Sequence, residues 1–287
     1  MILADISNGS RIHGGRTIFR NLSWSVQQGE KIGLIGPSGC GKSTLLRLFA
    51  GVDQPDSGTV TFRKGTRIAY LPQEYAGTPG LTALEELLAS RADIAAIDHA
   101  IHAAERRIAD PATLADPDAF DALLIEHGRL LDEFADAGGP MLRNRADGLL
   151  GELGFEKADR DLPMEALSGG QRKLVGIIRA LLAEPELLLL DEPDNHLDLG
   201  RKAALEQIVR SFDGAVIVVS HDRYLLDETA TTIIELEPNR EDGVRLKRWD
   251  GNYTAYVAQR ELALIRQQQD FASQQKEIAR LEAAVAR

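Results

Sequence analysis

Residues 36–44 of the chain read Gly36-Pro37-Ser38-Gly39-Cys40-Gly41-Lys42-Ser43-Thr44. The apolar run KIGLIG at residues 31–36 leads into this segment and reads as a short buried strand. The apolar residues at positions 45, 46, 48 and 49 follow it and read as a helix. A loop of the form G-x-x-x-x-G-K-S between a strand and a helix is the context in which this pattern binds phosphate groups.

The composition of this loop, called here the phosphate loop (residues 36–44), indicates how it would bind a ligand. Glycines allow successive backbone N–H groups to turn inward around phosphate oxygens, and the helix N-terminus adds positive potential. We expect the Lys42 ammonium to reach the β- and γ-phosphates of a nucleotide, and the Ser43 hydroxyl to bind Mg²⁺. The pattern therefore predicts a nucleoside triphosphate site.

A second segment supplies two carboxylates. Four leucines at residues 187–190 lead into Asp191 and Glu192, a pattern typical of a strand buried on both faces. Ligands of open parallel α/β sheets bind outside the carboxyl ends of the strands, so both acids should face the phosphates. We expect Asp191 to hold Mg²⁺ and Glu192 to act as general base on the attacking water.

Two further segments carry polar groups that the first two do not supply. The apolar strand at residues 215–220 ends just before His221 and delivers it to the same sheet edge. Residues 167–171 (LSGGQ), called here the signature segment, contain Ser168, Gly169, Gly170 and Gln171. Taken alone, the signature segment also fits an ordinary helix N-cap.

In combination, the four segments resemble the nucleotide-binding domain of the ATP-binding-cassette (ABC) superfamily. Residues 192–198 (EPDNHLD), 220–226 (SHDRYLL) and 251–256 (GNYTAY) resemble its ABC-F branch, which is soluble and carries two cassettes on one polypeptide. The resemblance implies an α/β fold, namely a P-loop NTPase domain of the ABC type with a helical subdomain or arm insertion and a C-terminal linker helix. It also implies ATP hydrolysis with Mg²⁺ as cofactor.

The resemblance further implies roles for individual residues. His221 would be the switch residue that contacts the γ-phosphate, and Gln73 would sense Mg²⁺ and the attacking water. Asp198 would lie in the loop that links two ATP sites, and His13 falls where an aromatic side chain usually stacks on adenine. Most ABC-F members have Thr where this chain has Asp194, which we interpret as subgroup variation.

The signature segment has a special position in this family. Its Ser and Gly residues bind the γ-phosphate of the ATP held by the opposite cassette. This chain has one phosphate loop and one signature segment, so the resemblance implies that turnover requires a second cassette. That cassette would lie on the same polypeptide or belong to a homodimer.

The segment between Gln73 and Ser168 is longer than a minimal cassette needs. Residues 82–150, called here the arm, open with the capping-box pattern Thr82-x-x-Glu85 and then show two apolar stripes at helical spacing. We expect two antiparallel helices, which in ABC-F proteins would lie between transfer RNA and the large ribosomal subunit. The arm contains fourteen acidic and six basic residues, a net charge of −8. Because such a charge opposes attraction to RNA, contact with a ribosomal protein and an ordinary helical subdomain remain alternatives.

The C-terminal segment has no Gly or Pro after Asn252. Val257, Leu264, Phe271, Ile278 and Val285 recur at intervals of seven, which predicts one long helix over residues 257–287 with a partial coiled-coil seam. We therefore divide the chain into a cassette at residues 1–256 and the start of a linker at residues 257–287. Such a helix fits a polypeptide cut inside the linker, or a homodimer in which two helices pair.

Composition agrees with this interpretation. The chain has 287 residues and a net charge of −11, which argues against non-specific nucleic-acid binding as a main activity. It has no apolar run of 18 or more residues and no signal-peptide charge pattern at its start, so we expect a cytoplasmic protein without membrane insertion. The function that fits best is that of a translation or antibiotic-resistance factor acting on the ribosome and tRNA. The alternative is the ATPase subunit of an ABC membrane transporter.

Overall fold

The computed structural model describes residues 1–239 and 241–285, and nine strands in this part of the chain form two sheets. In chain order they are β1 (Ile2–His13), β2 (Arg16–Gln27), β3 (Lys31–Ile35), β4 (Ser57–Phe62), β5 (Ile68–Leu71), β6 (Leu187–Asp191), β7 (Ala215–Val219), β8 (Thr232–Asn239) and β9 (Gly243–Asp250). The larger sheet has the order β5-β6-β7-β3-β8-β9 and is parallel except for β9. The smaller sheet, β2-β1-β4, is antiparallel. The predicted α/β fold is confirmed.

Ten α-helices surround and extend these sheets in the same described ranges. They are α1 (Lys42–Phe49), α2 (Ala83–Leu88), α3 (Ala92–Ile108), α4 (Pro111–Leu114), α5 (Pro117–Asp136), α6 (Gly139–Glu152), α7 (Gly169–Leu182), α8 (Leu199–Ser211), α9 (Arg223–Thr229) and α10 (Tyr253–Val285). Helix α1 follows β3 through the phosphate loop, as the motif predicts.

Strand β6 shows why the central sheet has a core on each side. Leu188 and Leu190 belong to the hydrophobic cluster formed with α2, α7 and α8, whereas Leu187 and Leu189 belong to the cluster formed with α1 and the antiparallel sheet. Successive side chains of a strand point to opposite faces, so a strand covered on both faces must be apolar throughout. The four consecutive leucines therefore form a fully buried strand, as predicted.

The pairing register brings three strand ends to one edge of the sheet. In β3 and β7, Leu34 pairs with Val219, and Val219 also pairs with Asp191 of β6. Because these strands are parallel, the phosphate loop, residue 192 and residue 220 all leave the sheet at this edge.

The arm is a helical insertion in which α3 and α5 pack as an antiparallel pair. Glu105 of α3 is near His127 of α5 (3.5 Å), and Arg107 of α3 is near Glu126 of α5 (3.8 Å). Residue numbers therefore rise along α3 in the direction in which they fall along α5. The capping box at Thr82 is present, since its hydroxyl accepts from the Glu85 N–H at 3.3 Å and the Glu85 carboxylate accepts from the Thr82 N–H at 2.8 Å. The arm also contains α2, α4 and α6, and α6 continues to Glu152.

The long C-terminal helix begins four residues earlier than the apolar spacing predicts. Helix α10 starts at Tyr253, and Tyr256 is buried against Trp249 at a ring-centroid distance of 5.7 Å. The seam residues Val257, Leu264 and Phe271 are exposed. The side chains of the other predicted seam positions, Ile278, Leu281 and Val285, and residue Arg287 as a whole lie outside the described residues.

None of the helices in the described ranges is both long enough and apolar enough to cross a membrane.

The two-sided core makes a direct prediction about stability. Leu188→Ala removes a side chain with no solvent exposure, and we expect it to lower the free energy of unfolding by about 2–5 kcal/mol through lost burial and the cavity left behind. The same substitution at Leu124, which is 44% exposed on α5, should change it by less than about 0.5 kcal/mol. Urea denaturation followed by tryptophan fluorescence measures both, and equal losses would contradict the assignment.

Candidate functional site

The phosphate loop needs glycine at positions where another residue would collide. Gly36 and Gly41 have φ values of 154° and 103°. A Cβ atom on Gly36 would lie 2.8 Å from the Cys40 Sγ and 2.9 Å from the Leu236 carbonyl oxygen, and one on Gly41 would lie 2.4 Å from the Ile18 Cγ2. The loop backbone therefore curls against its neighbours, which leaves its inner side free for a ligand.

Lys42 is the first residue of α1 and lies against the loop that precedes it. Its ammonium donates to the carbonyl oxygens of Gly36 at 2.8 Å and Pro37 at 3.1 Å. The buried Cys40 thiol belongs to the hydrophobic cluster that contains α1, and burial raises its pKa. The loop thus offers a cation and backbone N–H groups as its ligand-binding chemistry.

A cleft beside the loop brings together residues from distant parts of the chain. Its lining comes from the phosphate loop, the segment between β5 and α2 (residues 72–82, called here the Gln73 segment), the end of β6, the end of β7 and strand β2. The lining residues are Ile18, Ser38, Gly39, Gly41, Lys42, Ser43, Thr44, Gln73, Glu192 and His221. Except for Ile18, all are residues that the sequence analysis selected.

Glu192 is the centre of the polar groups in this cleft. Its side chain is 15% exposed, and its carboxylate Oε2 accepts from the Gln73 Nε2 at 3.0 Å and the Asn195 Nδ2 at 2.6 Å. The His221 Nε2 lies 3.6 Å from the other oxygen, Oε1. The Glu192 backbone has a left-handed φ of 49°, and such strain in a non-glycine residue is characteristic of functional sites.

Asp191 has the features expected of a cation ligand. The residue is 1% exposed, and its carboxylate oxygens have no hydrogen-bond partner among the described residues. Burial raises its pKa, and the nearby Ser43 hydroxyl opposes this shift without forming a hydrogen bond of ordinary geometry. An orphaned buried carboxylate beside a hydroxyl fits Mg²⁺, which usually completes its ligand sphere with waters and substrate phosphates. Among the described residues, no three or more His, Cys, Asp or Glu side chains are grouped so that they could hold a metal ion.

Asp194, which differs from the usual ABC-F residue, connects two of the site segments. Its buried carboxylate accepts from the Ser220 hydroxyl at 2.7 Å, and the Ser220 oxygen accepts from the Asp222 N–H at 2.8 Å. The segment after Glu192 is therefore tied to the segment that carries His221.

The signature segment lies apart from this cleft. Ser168 caps α7, because its hydroxyl accepts from the Gln171 N–H at 3.2 Å while the Gln171 side chain accepts from the Ser168 N–H at 2.9 Å. Gly169 lines a different cavity together with Gln73 and His196. Gly170 packs against the His196 backbone, since a Cβ there would lie 2.6 Å from its carbonyl oxygen. Asp198 caps α8 by accepting from the Arg201 N–H at 2.9 Å.

The remaining predicted residue, His13, is exposed at the end of β1, where it pairs with Arg16. Ile18 lines the cleft, and the stacking of His13 on adenine stays a prediction.

The sequence analysis missed three residues that the structure places at the site. They are Ile18, Asn195 and Lys173, whose buried ammonium donates to three backbone carbonyls. Asn195 lies three residues after Glu192 in chain order, and this spacing is a usable signal. Ile18 and Lys173 reach the site only through tertiary packing.

The chain is similar to known ABC proteins over most of its length. A family profile described as ABC transporter matches residues 19–195, and a second with the same description matches residues 242–287. The energy-dependent translational throttle protein EttA of Escherichia coli (strain K12) is 38% identical over 264 residues, which cover 92% of this chain and 45% of the relative. EttA of Haemophilus influenzae is 39% identical over 266 residues, which cover 92% and 46%, respectively.

Relatives outside bacteria and solved structures agree with these matches. ABC transporter F family member 2 of Arabidopsis thaliana is 34% identical over 281 residues, covering 95% of this chain and 39% of the relative. A bacterial ABC transporter cassette solved as a dimer has a TM-score of 0.60 at 22% identity, covering 86% of this chain and 98% of the other.

The curated relatives are longer polypeptides than this chain. The chain spans about half the length, or less, of the curated relatives it matches. The resemblance to the ABC-F branch is confirmed by these relatives. The chain therefore belongs to the ABC transporter family of ATP-binding cassettes.

Proposed function

We propose that this chain is an ATP-hydrolysing cassette of an ABC-F protein that acts in translation. The observation that carries the ATPase proposal is the placement of Glu192. Its carboxylate is held by Gln73 and Asn195, faces His221 and lines the same cleft as the phosphate loop. A carboxylate so placed can accept a proton from a water that attacks the γ-phosphate.

Each polar residue in or beside the cleft has its own role in the proposed hydrolysis. Lys42 and the loop N–H groups hold the β- and γ-phosphates, and the N-terminus of α1 adds favourable potential. Glu192 orients the attacking water and takes its proton on a carboxylate oxygen. His221, whose side chain is 63% exposed, can contact the γ-phosphate from the end of β7. Ser43 and Asp191, with Gln73, would hold Mg²⁺, which neutralises charge on the transferred phosphate.

The position of the signature segment supports a requirement for a second cassette. Ser168, Gly169, Gly170 and Gln171 do not line the cleft that holds Lys42 and Glu192. The backbone N–H groups of Gly169 and Gly170 lie in the first turn of a 14-residue helix, and a helix N-terminus is suited to bind the phosphates of another ATP. In this proposal two cassettes close head to tail around ATP, with Asp198 between the sites, and separate after hydrolysis.

The role in translation rests on the relatives. Two of them are described as energy-dependent translational throttle proteins, and we propose a cytoplasmic partner of the ribosome and tRNA. Within the arm, Asp98 is paired with Arg143 at 2.8 Å and Glu126 with Arg107 at 3.8 Å, so part of its acidic charge is neutralised internally. Exposed apolar residues on α5, Leu124, Ile125 and Leu131, favour contact of the arm with protein.

The alternative function is that of the ATPase subunit of a membrane transporter. The cleft and the signature segment would serve it equally well. The relatives and helix α10 favour the ABC-F proposal, since the second family profile covers residues 242–287 and includes that helix.

The assignment of Glu192 predicts a block in hydrolysis. Glu192→Gln keeps the size of the side chain but removes its ability to accept a proton, so we expect ATP turnover to fall by about 10²–10⁴-fold. ATP should still bind, because the phosphate contacts remain. Phosphate release and equilibrium ATP binding measure the two effects. The matched control is Glu237→Gln, an exposed carboxylate on β8, and normal turnover in Glu192→Gln would refute the base assignment.

The assignment of Lys42 predicts a loss of affinity. Charge-assisted hydrogen bonds contribute about 1.5–3 kcal/mol, so Lys42→Ala should weaken ATP binding by about 10- to 100-fold. Lys64→Ala, at an exposed turn between β4 and β5, should leave the affinity unchanged. Isothermal titration with ATP and Mg²⁺ measures both, and unchanged affinity in Lys42→Ala would exclude the proposed contact.

The translation role is tested by co-sedimentation with ribosomes. The natural full-length polypeptide carrying Glu192→Gln, with the matching change in any second cassette, should pellet with ribosomes when ATP is present and not without nucleotide. The same preparation should be absent from washed membranes. Recovery on membranes with no ribosome binding would favour the transporter alternative.

A further inference from the structure

Lys173 is a buried cation to which the proposed hydrolysis mechanism gives no role. It lies in the second turn of α7, is 4% exposed, and burial lowers its pKa. Its ammonium donates to the carbonyl oxygens of Pro72 at 2.9 Å, Gln73 at 2.7 Å and Asp191 at 3.1 Å. A lysine ammonium has three donors, so these three carbonyls satisfy it completely.

The three acceptors belong to the two chain segments that carry Gln73 and Glu192, called here the hydrolytic centre. Pro72 and Gln73 follow β5, and Asp191 ends β6 immediately before Glu192. The side chains of Gln73 and Glu192 then form a hydrogen bond of 3.0 Å across the gap between those segments. Lys173 thus holds the backbone of Gln73 itself and of the residue next to Glu192.

The contact also joins this centre to the signature segment. Lys173 is five residues after Ser168 on the helix that Ser168 caps. A shift of the first turns of α7 would therefore displace the Lys173 ammonium and change its hydrogen bonds to the carbonyls of Gln73 and Asp191. Charged hydrogen bonds in a buried site are strong and costly to break, which makes this connection stiff.

We propose that Lys173 is a positioning residue for ATP hydrolysis, which sets the separation of Gln73 and Glu192 by binding the backbone of both segments to α7. The inference rests on the proposed ATPase function. The three donors of its ammonium are taken up by backbone carbonyls, so Lys173 would act through Gln73 and Glu192.

The test compares Lys173→Met with Lys31→Met in the natural full-length polypeptide. Lys31 is a matched control because its half-buried ammonium also donates to backbone carbonyls, those of Phe212 and of Gly214 at 3.0 Å. It lies at the opposite end of β3, about 17 Å from the phosphate loop for a five-residue strand. Lys173→Met should lower kcat by about 10- to 100-fold and change KM for ATP by less than about threefold. Lys31→Met should leave both constants unchanged.

A double-mutant cycle separates positioning from a general loss of stability. If Lys173 acts through Gln73, Lys173→Met should cost less than about threefold in kcat when Gln73→Ala is already present. Additive losses, an unchanged kcat in Lys173→Met, or an equal loss in Lys31→Met would overturn the proposal. Should Lys173→Met not fold, Lys173→Gln, which keeps amide donors without the charge, replaces it in the same cycle.

A readout that does not need turnover keeps this inference distinct from the ATPase proposal. The side-chain amide of Gln73, observed by proton–nitrogen NMR in this chain, should shift in Lys173→Met and stay in place in Lys31→Met. If the wild-type protein hydrolyses no ATP, the ATPase proposal fails while the amide signal still decides whether Lys173 positions Gln73. An unshifted amide signal would overturn the positioning role even where hydrolysis is normal.

Discussion

The parallel pairing of β3, β6 and β7 is the constraint on which the rest of the structure depends. Because Leu34, Val219 and Asp191 lie side by side in the register, the next residues of all three strands emerge at one edge. A glycine loop, the Glu192 carboxylate and a histidine that are far apart in the chain therefore line one cleft. A register shift of one residue in any of these strands would move the group at its end along the sheet by about 3.3 Å.

The same edge concentrates charge in a place with little water. Asp191 and Lys173 are both buried. Burial raises the pKa of Asp191 and lowers the pKa of Lys173, and each shift favours the neutral form of the side chain. The lysine is compensated by three carbonyls, whereas the aspartate oxygens have no partner in the described residues. Uncompensated buried charge is expensive, so the asymmetry agrees with the proposed role of Asp191 as a cation ligand and with that of Lys173 as a positioning residue.

The phosphate loop and the signature segment lie apart in the structure. The phosphate loop lies with Glu192, while the signature segment lies in another cavity, yet both are connected through the Gln73 segment, which lines the two cavities. Tyr75 and Thr78 of that segment bind the buried carboxylate of Glu86 on α2. The arm and the cleft residues thus contact the same loop.

The sequence by itself determined the local structures and the chemistry that they carry. The phosphate loop, the four leucines before Asp191 and the capping box at Thr82 are patterns over a few neighbouring residues, and backbone geometry and burial allow them few alternatives. Only the tertiary structure decided that Ile18 lines the cleft beside Gly41, that α10 begins at Tyr253, and that Lys173 holds Gln73 and Asp191. These contacts join residues up to a hundred positions apart, and their energies depend on distances that no local pattern encodes.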